Sequence, residues 1–200
     1  MSGPGYMIIG IDIHDPSMLE AYSAETMPIL DRYGGELLAA TDEIVHRDGD
    51  WGRKRIVILK FPSVKAAKSF WESPDYVPLK QLREASSDQD NILVEGFEGI
   101  PDIDGTPAYM VIGMDVHDGD AIAEYAKKMG EFGPQFGVTP LAASEKFEAL
   151  DGAWNRERIA LLRFPSAEEF NRMWTHPDYQ PLKELREGAS KGDHVVIKGA

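Results

Sequence analysis

The chain has no cysteine among its 200 residues. That absence excludes disulfides, thiolate zinc sites, cysteine-ligated clusters and a cysteine nucleophile in any compartment. No apolar run approaches the roughly 20 residues that a membrane-spanning helix needs. The first ten residues lack both the basic stretch and the long apolar core of a secretory signal, so a cytoplasmic location is the expectation. Basic residues are also scarce. The 21 Lys and Arg stand against 34 Asp and Glu, a formal net charge of −13, which is the opposite of the basic face that nucleic acid or an anionic membrane requires. Glycine-rich phosphate loops, a GxSxG elbow, HExxH and His-rich tracts are all missing. Nucleoside triphosphatase, Rossmann and serine hydrolase chemistry are therefore not expected, and neither is a cofactor or a dedicated metal site.

What is present is a foldable composition, 42% hydrophobic and 28% charged, long enough for one large or two small domains. Sliding the chain against itself decides between them. Residues 6–96 match residues 109–199 without a gap, with about 35 of the 91 positions identical. Tyr6 to Asp15 reads YMIIGIDIHD beside YMVIGMDVHD, and Trp71 to Glu84 reads WESPDYVPLKQLRE beside WTHPDYQPLKELRE. Between them, Phe97 to Ala108 carries Gly99, Pro101, Gly105 and Pro107, residues that suit an exposed connection. The organisation is thus a first repeat over 1–96, a linker over 97–108 and a second repeat over 109–200.

Each repeat follows one pattern. Tyr6 to Ile13 alternates as a strand, with Met7, Ile9, Ile11 and Ile13 on one face and Tyr6, Ile8, Gly10 and Asp12 on the other. Asp15-Pro16 is an N-cap with a first-turn proline, and Asp118 is its equivalent. A helix follows, seen best in Ile122, Tyr125, Met129, Phe132 and Phe136, which recur every three or four residues. Glu36 to His46 reads as a second strand, turned at Asp48-Gly49-Asp50 into a third over Arg55 to Phe61. Ser63 and Ser166 open a second helix, the latter with capping-box spacing to Glu169. A short helical piece around Leu79 and Leu82 leads to a fourth strand over Ile92 to Glu95. The order is βαββαβ, a ferredoxin-like α+β domain with both helices on one sheet face. The other face is left bare. Two sheets joined in one chain, at an effective concentration of about a millimolar, are expected to pair face to face as an intramolecular barrel, with the outer helices free for a further homodimer.

These residues resemble a known family. Tyr6, Asp15-Pro16, Tyr22, Gly34-Gly35, Gly49-Asp50-Trp51, Arg55, Phe61-Pro62-Ser63, the Trp71-to-Tyr76 segment, Leu82-Arg83 and Val94-Glu95-Gly96 are similar to the pattern of domain of unknown function 1330. The second repeat keeps Tyr109, Tyr125, Trp154, Arg158, Phe164-Pro165, Pro177, Tyr179 and Arg186, with Val138 and Ala153 as departures. The resemblance implies the dimeric α/β-barrel superfamily, which includes cofactor-free monooxygenases, isomerases, polyketide cyclases, dehydratases and haem-binding enzymes. It carries no catalytic motif onto particular residues.

The most suggestive constellation is Asp12 with His14, repeated as Asp115 with His117, on the strand face opposite the apolar one. Antiparallel pairing of the first and third strands brings Arg53 and Arg55 beside the first pair, and Arg156 and Arg158 beside the second. Carboxylate, imidazole and guanidinium at one barrel end make an acid–base pair with an anion-orienting arginine. Arg55, Arg158, Tyr6 and Tyr109 are the candidate substrate-binding groups. The same residues admit a plainer reading, in which Arg55 pairs with Asp12 as a rim salt bridge and His14 lies in solvent. The third strand is apolar on both faces, with Val57, Leu59 and Phe61 on the side of the arginines and Ile56 and Ile58 on the other. Trp51, Trp154, Trp71, Trp174, Tyr76 and Tyr179 read as packing residues, and His46, His176 and His194, each unique to one repeat, as surface residues. Two functions follow: a cofactor-independent isomerase, cyclase or lyase acting on a small organic metabolite, with monooxygenase-like activity as a further option, or a non-catalytic ligand-binding or structural protein. Repeat two also replaces Leu30-Asp31 by Gly133-Pro134, which predicts a shortened or kinked helix and a pocket that repeat one closes.

Overall fold

The computed structural model describes residues 3–200. In repeat one, β1 (Gly5–Ile13) lies between β4 (Arg55–Phe61) and β5 (Ser87–Glu95), antiparallel to both. β2 (Glu36–Thr41) pairs on the far side of β4. Alternation sorts β1 as its sequence requires. Met7, Ile9 and Ile11 pack beneath the helices, while Tyr6 and Ile8 face the other way. Three helices cover the first face: α1 (Pro16–Arg32), α2 (Val64–Trp71) and α3 (Val77–Ser86). The Asp15 carboxylate accepts from the Ser17 and Met18 amides at 3.0 and 3.1 Å, satisfying two of the free donors of the first turn. Ser63 caps α2 through the Ala66 amide at 3.1 Å.

Repeat two has the same parts: β6 (Ala108–Val116), α4 (Gly119–Phe132), β7 (Thr139–Ser144), β9 (Arg158–Phe164), α5 (Ala167–Trp174), α6 (Tyr179–Glu187) and β10 (Ser190–Lys198). The two bare faces meet. Ile8, Ile56, Ile58, Ile92 and Val94 from one sheet share a single core with Val111, Ile159, Leu161, Val195 and Ile197 from the other. The chain is therefore an α+β protein of two ferredoxin-like repeats closed as one intramolecular α/β barrel. Burying each of these aliphatic side chains is worth about 1.5–3 kcal/mol.

One expectation is corrected. Glu36 to His46 is not a continuous strand, because Asp42 and Glu43 break its alternation and the chain crosses to the other sheet. There β3 (Val45–Asp48) pairs with β10, and in return β8 (Phe147–Asp151) pairs with β5. The sheet orders are β2-β4-β1-β5-β8 and β3-β10-β6-β9-β7. Each exchanged arm covers a strand edge that would otherwise be open to another chain.

The arms are pinned at their ends. Arg83, 2% exposed, donates to Asp151 of β8, and Arg186, 1% exposed, donates to Asp48 of β3 at 2.5 Å. Each guanidinium also donates to a buried tyrosine hydroxyl, Tyr76 or Tyr179, at 3.3 Å. Asp48→Ala leaves the buried Arg186 with only the more distant Glu187 carboxylate, at 3.5 Å, and is expected to cost about 3–5 kcal/mol. Asp151→Ala costs less, its carboxylate being 37% exposed in the side chain. Urea denaturation checks both, and the double replacement Asp48→Ala with Arg186→Met should recover most of the first loss.

Candidate functional site

The expected acid–base pairs do not assemble. Asp12 ends the inward face of β1, and its carboxylate accepts from Arg53 Nη1 at 3.1 Å and from the Lys54 amide at 3.2 Å. Asp115 repeats this with Arg156 Nη1 at 2.7 Å and the Glu157 amide at 3.1 Å. The Arg156 hydrogen bond holds the Asp115 carboxyl below the usual carboxylate range. His14 lies past the end of β1, more than half exposed, with Nε2 at 2.8 Å from Asp88. His117 has its Nε2 at 3.1 Å from the Gly188 carbonyl. Neither imidazole bonds to the aspartate two residues before it.

The partner of Asp12 is Arg53 rather than Arg55. In the β1–β4 register Arg55 stands opposite Ile11, on the helix-covered side with Leu59 and Phe61. From that face its guanidinium reaches Asp42 at 2.7 Å, and Arg158 correspondingly reaches Glu145 at 3.5 Å. Arg53 also binds Asp90, and Arg156 binds Asp193. Together with Trp51 and Trp154, whose rings are 5.4 Å apart edge to face, these groups close one barrel end around a polar cavity of about 240 Å³.

A larger cavity, about 570 Å³, lies between α4 and the sheet of repeat two. Ile112, Met114, Ile122, Met129, Ala160 and Leu162 line it, and its polar side chains are Tyr125, Thr139 and Arg158. Its origin is a set of differences between the repeats. Val57 of repeat one is Ala160 on the cavity wall, while Leu30, 1% exposed in repeat one, is Gly133, whose space is taken by Val138 in place of Gly35. The chain responds as Gly133-Pro134 predicts: α4 stops at Phe132 and continues as a 3-10 turn over Gly133–Phe136, whereas α1 runs unbroken to Arg32. Gly130, where repeat one has Met27, leaves further room, since a Cβ there would meet nothing within 4 Å.

Behind this cavity runs a buried polar chain that sequence reasoning missed. Tyr125 lies beside Tyr179, Tyr179 accepts from Arg186, and Arg186 shares Asp48 with His194 Nδ1 at 2.7 Å. His194 is 3% exposed, not on the surface. Burial pushes its imidazole below the ordinary value, and the Asp48 hydrogen bond offsets only part of that. For Asp48 burial acts upward, yet His194 and Arg186 together hold it below the carboxylate range. The available signal was the replacement of Asn91 by His194 in the repeat alignment, just before the fourth strand. A haem would find no imidazole in the cavity lining, only the Met114 and Met129 sulfurs and the Tyr125 oxygen. Among the described residues no cluster of three or more His, Asp or Glu is arranged to hold a metal ion.

A protein-family model, Domain of unknown function (DUF1330), matches residues 4–97 and again residues 107–200. No curated protein matches. Several solved structures do. A monooxygenase candidate from Fusobacterium nucleatum subsp. nucleatum ATCC 25586 has a TM-score of 0.56 at 13% identity, over 99% of this chain and 91% of its own. Another from Lactobacillus acidophilus NCFM has 0.54 at 16% identity, over 98% and 94%. A mutant chlorite dismutase from Candidatus Nitrospira defluvii has 0.60 at 9% identity, over 100% and 92%. At such identities the likeness is one of fold.

The buried imidazole makes stability depend on pH with a definite sign. Because His194 is held below its ordinary value of 6.5, the unfolded chain binds its proton more readily. Its contribution is complete above about pH 6.5 and is lost as the solution is acidified below that. Asp48 adds a loss only at lower pH, below the carboxylate range. Urea midpoints measured at neutral pH and near pH 5 should fall on acidification for the native protein, and His194→Asn, the residue repeat one uses, should remove most of that difference.

Proposed function

The chain belongs to the family of domain of unknown function 1330 in both its halves, and from that premise we propose that it binds a small, largely apolar organic molecule in the repeat-two cavity and acts on it by proton transfer. The observation that carries this reading is the cavity itself: roomy, apolar, present where repeat two departs from repeat one, and furnished with few polar side chains. A substrate with one oxygen substituent suits it. The Tyr125 phenol, steadied by Tyr179, donates to that oxygen and handles the proton, and Arg158 at the rim balances negative charge that develops during an isomerisation, cyclisation or elimination. Asp12, Asp115, His14 and His117 stand outside this cavity and serve the barrel ends. On this reading the two repeats have divided the work, one keeping a filled core and the other a working site.

The test begins with mass spectrometry of protein purified under native conditions, to identify the ligand carried along. Gly130→Leu fills the cavity from a helix position that prefers leucine, so ligand affinity should fall by about tenfold or more while the melting temperature holds or rises. Tyr125→Phe should lower turnover of the recovered ligand by about 10²–10⁴ with little loss of binding. His14→Gln and His117→Gln should change neither turnover nor stability by more than about 0.5 kcal/mol. A ligand that is recovered bound but never converted would make the protein a carrier, and a ligand unaffected by Gly130→Leu would place binding elsewhere.

A further inference from the structure

At the barrel end opposite the two tryptophans, a separate cavity of about 400 Å³ lies beneath the linker. The pseudo-twofold relation of the repeats brings two matching pairs to it. Tyr6 stands opposite Lys60 in the β1–β4 register, and Tyr109 opposite Arg163 in the β6–β9 register. Both tyrosines line the cavity at 2% and 4% exposure, and no described residue hydrogen-bonds to either hydroxyl. Burial raises both phenols above their ordinary value, against the opposing charges of Lys60 and Arg163, so they stay protonated and able to donate.

The two cations are treated differently. Lys60 is matched across the strands by Glu36, at 3.4 Å, and takes Asp102 of the linker at 3.0 Å. Arg163 has Thr139 at the position of Glu36. It is 7% exposed, has no carboxylate within ion-pair distance among the described residues, and donates only to the Pro101 carbonyl, at 2.7 Å. A guanidinium carries five N–H donors. A buried one with a single neutral acceptor is costly unless a further partner completes it. Glu36 and Asp102 also line the cavity, but both are engaged by Lys60, and repeat two supplies no acid of its own opposite Arg163.

We propose that this cavity is a binding site for a small organic carboxylate, held by Arg163 with the Tyr6 and Tyr109 hydroxyls donating to its oxygens. Two N–H groups in a fixed plane match the two oxygens of a carboxylate, and a neutral isostere lacks that match. The apolar body of the ligand rests on the inner side of the linker, against Ile100. The two cavities share Phe97 and Ile100 of the linker as a wall, but Arg163 and both tyrosines line only this one.

Benzoate, with benzamide as the neutral control, tests this by calorimetry on the full chain. One benzoate per chain should bind, with benzamide weaker by about tenfold or more, and Arg163→Gln should weaken benzoate by a similar factor. Thr139→Glu is the variant that keeps the fold in view. It supplies the cross-strand acid that Lys60 already has, so it should abolish benzoate binding while the melting temperature holds or rises. Because Thr139 also lines the repeat-two cavity, this loss supports the proposal only together with an unchanged affinity in Gly130→Leu. Gly130→Leu should leave benzoate affinity unchanged. Failure of benzoate to bind at about 10 mM, equal binding of benzamide, or affinity that survives Thr139→Glu would overturn the proposal. Benzoate weakened by Gly130→Leu but not by Arg163→Gln would assign it to the repeat-two cavity and overturn it as well.

Discussion

A ferredoxin-like sheet has helices for one face only, and everything else in this molecule depends on how the second face is covered. Here each sheet covers the other. The middle of the inward face of β1, β4 and β5 is aliphatic or aromatic, as is that of β6, β9 and β10, with charged residues only toward the strand ends, so neither sheet can be exposed without placing a layer of Ile, Val and Leu in water. Covalent linkage makes the pairing local to one chain.

The exchange of β3 and β8 follows from that pairing. Once the faces are in contact, the arm that leaves β2 lies nearer to the edge of the partner sheet than to its own, and it completes that edge. The arginine clamps then make the exchange specific. Each takes a carboxylate from the opposite repeat and holds it against a tyrosine already buried under the helices. Buried ion pairs of this kind add little net stability, but a slipped or unexchanged arm leaves a guanidinium without its partner, which penalises the alternatives.

Within this symmetric frame the functional features are asymmetric. Repeat one fills its helix–sheet layer with Val57, carries Met27 on the first helix, and pairs Lys60 with Glu36. Repeat two has Gly130, Ala160 and an Arg163 opposite Thr139. Loss of volume in one place and loss of a counter-charge in another leave two cavities of different character, one apolar and one with unspent donors. The duplicated fold supplies the stability that allows one copy to carry such gaps, since the cost of a cavity depends on how well its surroundings are held.

Repeats, strand faces, helix caps and the break at Gly133-Pro134 were legible in the residues, because periodicity, capping and helix breaking act between neighbours in the chain. The pairing of the two sheets was legible too, since a bare apolar face has few remedies. What the residues could not reveal was decided across space. Arg53 rather than Arg55 meets Asp12 because register assigns them to opposite faces. His194 is buried because an arm from the other repeat carries Asp48 over it, and Asp12 and His14 part because the strand ends between them. Local pattern determined which face of each element is apolar. Only the tertiary structure decided which polar groups at the element ends would meet, because those encounters depend on register and on strands contributed from far away in the sequence.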